Sequence, residues 1–399
     1  MNPESWKFNA FSERWIENTF SSVPLSILRP NVRISVHATG FFHGFTQFIP
    51  PESLIKLKLR YFSIPNPSEF QYQVPFKHYL VAATNLRSLT YEVMDGEGGQ
   101  VLHLPSFLQN ERMPALEELT LTGYKWHHTR EEVNSSWNFT NLMSLDIRGI
   151  DLSKFLSSVF FGDLANLRVL YTGDLCWGAK EQNREKGTVL LVEFLQSLMN
   201  LEEVHITGRT YELLSFDFFD RMGKLRVLEY CEKTLQVGTN AKRSERRLGV
   251  ERLKLLKSWC PALQELEIDM DLPRSEVSRL PPITFAMQNI NNRQFPTYIQ
   301  TLASFPNLKK ATLYTHLRGS DWKTGMESRL VNASYSLFEA ASKDTISKLP
   351  IELTINAGKF QRRTSNSWGE YLEWVTGRTF SKHWKKAGGN ETISNTQKI

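Results

Sequence analysis

Residues 113–123 read MPALEELTLTG: a proline, leucines at 116, 119 and 121, then a glycine. The same order of letters returns as NLMSLDIRG at 141–149, NLEEVHITG at 200–208 and PALQELEIDM at 261–270. Aligned on its first leucine, the pattern starts at Leu54, Leu86, Leu116, Leu142, Leu167, Leu201, Leu225, Leu263 and Leu308. A looser tenth copy, IELTI, occupies 351–355. The shortest step is 24 residues (Leu201 to Leu225) and the longest 45 (Leu263 to Leu308), so the repeat is irregular in length. Side chains alternate across a strand, so the later apolar letters of Leu-x-x-Leu-x-Leu share one face and the letters between them share the other.

The connecting segments carry the rest of the signal. LPSFLQN precedes MPALEELTL, LSKFLSSVFFGDLA precedes NLRVL, and GTVLLVEFLQSLM precedes NLEEVHI. RLGVERLKLLKSWC precedes PALQELEI, and PTYIQTLASF precedes PNLKKATL. Apolar residues three and four apart predict an amphipathic helix in each, and the following Asn or Pro reads as the turn that ends it. One helix–turn–strand unit cannot bury its own leucines, whereas a stack of units can. An α/β domain of ordinary β–α units would not repeat the same signature ten times.

The expected fold is therefore α/β, a leucine-rich-repeat solenoid with a curved parallel sheet and outer helices, in repeats of about 24–45 residues spanning 50–360. Residues 1–49, with Trp6, Phe8, Phe11, Trp15 and Phe20, are expected to cap one end. Residues 361–399 are expected to supply a cap helix, SWGEYLEWVTGRTF, and a disordered tail.

The strings NLRSL, NLMSLDI, NLRVL, NLEEVHI, ALQELEI and NLKKATL resemble the repeats of F-box-type receptors, especially the irregular fungal kind, over roughly 50–360. The resemblance implies a substrate-recognition scaffold that meets an SCF adaptor in a ubiquitin ligase. The F-box such receptors usually carry is not recognisable. PLSILRPNVRISV at 24–36 resembles the stretch joining an F-box to a first strand, so the chain is expected to begin just after a lost or truncated one. KLPIEL at 348–353 mimics an F-box opening, but TINAGKFQRR follows it without the apolar helix required, and it reads as the last strand.

Composition narrows the functional classes. The 399 residues are 41% hydrophobic and 23% charged, with a net charge of +6, too mild to argue for nucleic acid or a membrane surface. Cys176, Cys231 and Cys260 include no C-x-x-C pair, which excludes a disulfide framework and a conventional structural zinc site. No stretch approaches the roughly 20 apolar residues of a membrane helix, and the N-terminus has no secretion pattern. A cytoplasmic or nuclear protein is expected.

The strand letters between the leucines would line the concave face. Those expected to touch a partner are Glu118, Asp146, Tyr171, Glu203, His205, Glu229, Glu265, Glu267, Asp269 and Tyr314. The first strand is basic (Lys56, Lys58, Arg60), whereas the strands after Leu201, Leu225 and Leu263 are mostly acidic. A negative groove repels phosphates and suits a basic protein segment.

Nothing else in the chain carries chemistry. Adjacent His127 and His128 lack metal-ligand spacing and read as a loop contact. DLCWG at 174–178 lacks the context of a thiol nucleophile, and GEGG at 96–99 lacks the Lys-Ser/Thr of a phosphate loop. KRSERR at 242–247 reads as a solvated run, and Cys231 and Cys260 as packing residues. The expectation is a protein-interaction scaffold, not an enzyme, with no cofactor, metal or small-molecule substrate. The alternatives are a remnant of a truncated F-box protein, or an enzyme whose site is scattered over loops.

Overall fold

The computed structural model describes residues 6–10, 34–38, 50–61, 73–93, 104–122, 124–148, 150–173, 181–207, 216–231, 249–269, 294–316, 352–365 and 369–383. GEGG, Cys176 and KRSERR lie outside them. The chain forms two compact units, Met1–Asn200 with Thr364–Tyr371, and Leu201–Arg363 with Leu372–Ile399.

In the first unit seven strands pair in parallel and in sequence order: β1 (Trp6–Ala10), β2 (Ile34–Ala38), β3 (Leu54–Tyr61), β4 (Ser88–Val93), β5 (Glu118–Thr122), β6 (Ser144–Asp146) and β7 (Val169–Thr172). In the second unit β8 (Glu203–Thr207), β9 (Val227–Cys231), β10 (Glu265–Asp269), β11 (Lys310–His316) and β12 (Glu352–Ser365) do the same. Helices α1 (Gln73–Ala82), α2 (Arg130–Ser136), α3 (Leu152–Ser158) and α4 (Glu181–Ser197) belong to the first unit. Helices α5 (Val250–Trp259) and α6 (Gln294–Ala303) belong to the second. A parallel strand can be reached only by a crossover, and the described helices lie on such crossovers. This is the leucine-rich-repeat solenoid that the sequence predicts.

The repeat letters make the core. Leu116, Leu119 and Leu121, and their equivalents Leu142, Leu145 and Ile147, are each at most 1% exposed. Leu201, Val204 and Ile206 repeat the arrangement in the second unit, as do Leu263, Leu266 and Ile268. Each fully buried aliphatic side chain contributes about 1.5–3 kcal/mol. Register is fixed where β5, β6, β7, β9, β10 and β11 begin. One carbonyl accepts two successive N–H groups of the next repeat: Met143 O takes Arg168 N and Val169 N at 2.9 and 3.0 Å, and Gln264 O takes Lys309 N and Lys310 N at 2.7 and 3.0 Å.

The asparagine before the leading leucine does more than end a helix. Its amide donates across to the previous repeat: Asn85 Nδ2 to Glu52 O at 2.6 Å, Asn166 to Thr140 O at 2.8 Å, Asn200 to Ala165 O at 3.0 Å and Asn307 to Pro261 O at 2.8 Å. In every case the donor precedes its own leading leucine by one residue, and the acceptor precedes the earlier leucine by two. The asparagine is a clip between repeats.

Four expectations are corrected. Residues 1–49 are not simply a cap, because β1 and β2 extend the parallel ladder back to Trp6. SWGEYLEWVTGRTF is not a helix; Gly369–His383 is strand β13, as suits Val375, Thr376, Thr379 and the aromatics around Gly377, a poor helix residue. LPSFLQN forms no helix, since Pro105 and the short run before Pro114 leave no room for a stable one. His128 is not a loop contact, although its neighbour His127 is exposed. His128 lies in a buried aromatic group with Trp126, Trp137 and Tyr124. A carboxylate only accepts, so His128 Nδ1–H donates to Glu132 Oε1 (3.0 Å), and Nε2 shares a hydrogen bond with the Tyr124 hydroxyl (2.7 Å). The Tyr124 oxygen in turn accepts Leu104 N–H at 3.0 Å, fastening the loop that replaces the missing helix. Lys77 secures the same loop from α1, through Glu111 Oε2 (2.6 Å) and Ser106 O (2.9 Å).

Candidate binding face of the sheet

The side chains between the leucines form rows across neighbouring strands. In the first unit Lys56, Ser88, Glu118, Ser144 and Val169 make one row, and Lys58, Thr90, Thr120, Asp146 and Tyr171 the next. Two cations of the basic first strand that the sequence shows, Lys56 and Lys58, meet carboxylates in space. Lys56 Nζ meets Glu118 Oε2 at 3.3 Å, over Ser88, whose hydroxyl donates to the same oxygen at 2.7 Å. Lys58 pairs with Glu92 at 3.3 Å. Arg148 grips Asp146 through Nε and Nη2 at 2.9 and 2.5 Å, and its guanidinium lies 5.0 Å from the centre of the Tyr171 ring. Among the described side chains of this face, three cations (Lys56, Lys58, Arg148) balance three anions (Glu92, Glu118, Asp146), and all six are paired.

The second unit is different. Its rows are Glu203, Val227, Glu265, Lys310, Glu352, then His205, Glu229, Glu267, Thr312, Thr354. The third row holds Thr207 beside Cys231, and Asp269 beside Tyr314. Among its described face side chains, six acids (Glu203, Glu229, Glu265, Glu267, Asp269, Glu352) stand against one lysine, Lys310, a formal excess of five negative charges. Lys310 lies 3.9 Å from Glu265, at the exposed edge of the row, where such a pair is worth little.

The middle of this face is held by hydrogen bonds. His205 Nδ1–H donates to Glu229 Oε2 at 2.9 Å, and Tyr314 O–H donates to Glu267 Oε1 at 2.7 Å. Cys231 S–H points to Glu229 Oε1 at 3.6 Å. Burial, and then the negative charge of Glu267 and its hydrogen bond, push the Tyr314 hydroxyl far above its ordinary pKa. Tyr314 therefore stays a neutral donor at any physiological pH. Cys231 is fully buried, with its thiol facing a Glu229 carboxylate oxygen. Cys260 is a core thiol, pushed up to about 12 by burial, as a packing residue should be.

Of the residues expected to touch a partner, Glu118, Tyr171, Glu203, His205, Glu229, Glu265, Glu267 and Tyr314 are exposed or half-buried at face positions. Asp146 and Asp269 also stand at face positions, but they are only 7% and 2% exposed, so they shape the surface more than they present it. The sequence reading placed no metal ligand and took Cys231 for packing. The structure instead brings Glu229, Cys231 and Glu267 together, with one ligand atom of each lying within 4.8 Å of the others. The signal that could have found them was the i, i+2 spacing of Glu229 and Cys231 combined with a register that linear sequence does not display.

No family model matches the sequence, and no curated protein matches it. Among solved structures, the chain is similar to the leucine-rich repeat-containing protein LegL7 from Legionella pneumophila. That likeness has 17% identity and a TM-score of 0.39, covering 86% of this chain and 98% of that one. The fold assignment rests on the repeat register itself.

Proposed function

We propose that this protein is a protein-recognition scaffold, and that the sheet face of β8–β12 binds a basic segment of its partner. The observation that carries this reading is the sign of the charge: among the described side chains of that face six acids stand with one lysine, whereas among those of the first unit's face three cations pair with three anions. Complementary charge of this kind speeds association and sets orientation more than it adds affinity. The same field disfavours nucleic acid, whose phosphates it would repel. The repeat's resemblance to F-box receptors supports a narrower version, in which the bound segment belongs to a ubiquitin-ligase substrate and an SCF adaptor binds elsewhere.

The test uses an immobilised Lys/Arg-rich peptide and the full chain. Glu203→Lys with Glu265→Lys, both on exposed side chains, should slow association by roughly ten-fold and flatten its salt dependence. Glu118→Lys, in the neutral face, should change it far less. Equal binding by both variants would sink the proposal. Binding of a purified SCF adaptor decides the narrower version, and its absence would leave the scaffold without a ligase.

A further inference from the structure

We propose that Glu229, Cys231 and Glu267 form a site for a divalent cation of zinc-like preference on the sheet face of the second unit. The three donors come from two neighbouring strands. Glu229 and Cys231 stand two residues apart on β9, and Glu267 lies directly opposite Glu229 on β10. Tetrahedral zinc, with bonds of about 2.0–2.3 Å, holds its donors roughly 3.3–3.8 Å apart. Cys231 Sγ and Glu229 Oε1 are already 3.6 Å apart, and the full set lies within 4.8 Å. Small side-chain rotations complete the set without moving the sheet.

Three further features separate this place from an ordinary acidic patch. One donor is a thiol that is fully buried although it occupies a face position; a thiolate favours zinc over magnesium or calcium. The two carboxylates face each other directly across neighbouring strands, so that one cation can meet both. Among the described residues their row runs His205, Glu229, Glu267, Thr312, Thr354. Each carboxylate is also oriented from outside the trio, Glu229 by His205 Nδ1–H and Glu267 by Tyr314 O–H, as ligating carboxylates commonly are.

Binding exchanges the Cys231 S–H proton for the metal: the proton leaves to solvent, the S–H to Glu229 contact is lost, and a metal–sulfur bond forms. Affinity therefore falls as pH falls. Three protein donors leave a fourth position of the tetrahedron for water or for a side chain of a bound protein.

This inference does not depend on the basic partner, and its test needs none. Cobalt(II) alone is titrated into the full chain and the near-ultraviolet thiolate-to-cobalt band is followed, with zinc added afterwards to displace it. The expected result is a saturable band that zinc removes, that Cys231→Ser abolishes and that Glu267→Gln weakens by at least about ten-fold in affinity. Circular dichroism establishes that each variant is folded. Should Cys231→Ser fail to fold, Glu267→Gln decides alone, and unchanged affinity there overturns the proposal. A folded native chain with no thiolate band, or a band that survives Cys231→Ser, overturns it as well. Glu203→Lys with Glu265→Lys lies outside the trio, so failure of the metal site and failure of the peptide-binding face are read separately.

Discussion

Replacing Asn166 tests whether the asparagine clips couple repeats or merely occupy turns. Asn166 Nδ2 donates to Thr140 O over 2.8 Å at the surface, so in Asn166→Ala water can take over the abandoned carbonyl. A neutral hydrogen bond contributes about 0.5–1.5 kcal/mol net, and exposure puts this one in the lower half, near 0.5–1 kcal/mol. Asn166→Asp is the sharper change. It removes the donor and sets a carboxylate oxygen against the Thr140 oxygen at the same short distance, so its cost should exceed that of the alanine, at about 1.5 kcal/mol or more. Asn85→Ala acts on a different pair of repeats, and the double variant Asn85→Ala/Asn166→Ala should lose the sum of the two single effects, about 1–2 kcal/mol. The assay is urea unfolding followed by tryptophan emission, since Trp126 and Trp137 both lie in the first unit. An unchanged midpoint for Asn166→Ala, or an Asn166→Asp no less stable than it, would refute the clip.

Two other outcomes follow from the core and from one carboxylate. Leu170→Ala, at a fully buried position of β7, should cost about 2–5 kcal/mol, whereas Val169→Ala, half-exposed on the opposite face of the same strand, should cost less than about 1.5 kcal/mol by the same denaturation assay. Burial pushes the Glu111 carboxyl up, but the Leu108 N–H and the Lys77 and His78 cations outweigh it and hold the group below the ordinary carboxylate range. Its folded pKa is thus lower than its unfolded one. The stability it contributes is complete above the unfolded value, about 4.3, and is lost as pH falls through the folded value. A stability-against-pH series should therefore show a shallower acid limb in Glu111→Gln than in the native chain, and parallel limbs would refute the assignment.

The fold was legible because its signal is periodic. Ten copies of one leucine pattern dictate which faces are buried, and all ten became strands of the parallel ladders. What escaped was whatever depends on pairing across repeats. Lys56 and Glu118 are 62 residues apart, and nothing in the letters shows that they meet over Ser88. Among the described face side chains of the second unit the acids still outnumber the cations, six to one. His128 was misread because its partners, Tyr124 and Glu132, are local in sequence but its burial is not; Trp137 and Phe155 close over the group from later segments. The terminal segments were misread for the opposite reason. Aromatic-rich stretches without the leucine signature look like caps, yet aromatics and β-branched residues are equally at home in strands.

The paired N–H groups gathered by one carbonyl at the start of β5, β6, β7, β9, β10 and β11 have a consequence for how such a chain can vary. His205 and Glu229 are 24 residues apart (229 − 205), Glu229 and Glu267 are 38 apart (267 − 229), and yet the three are immediate neighbours on the sheet. All the difference in length is absorbed on the return path, where residues can be gained or lost without shifting any strand. The address of a side chain on the recognition face is thus set by its distance from the nearest leading leucine alone. Related chains could drift widely in total length and in their outer segments while presenting the same constellation, and whole-chain alignment would be the poorest way to recognise them. Counting outward from each leucine, strand by strand, compares what a partner would meet.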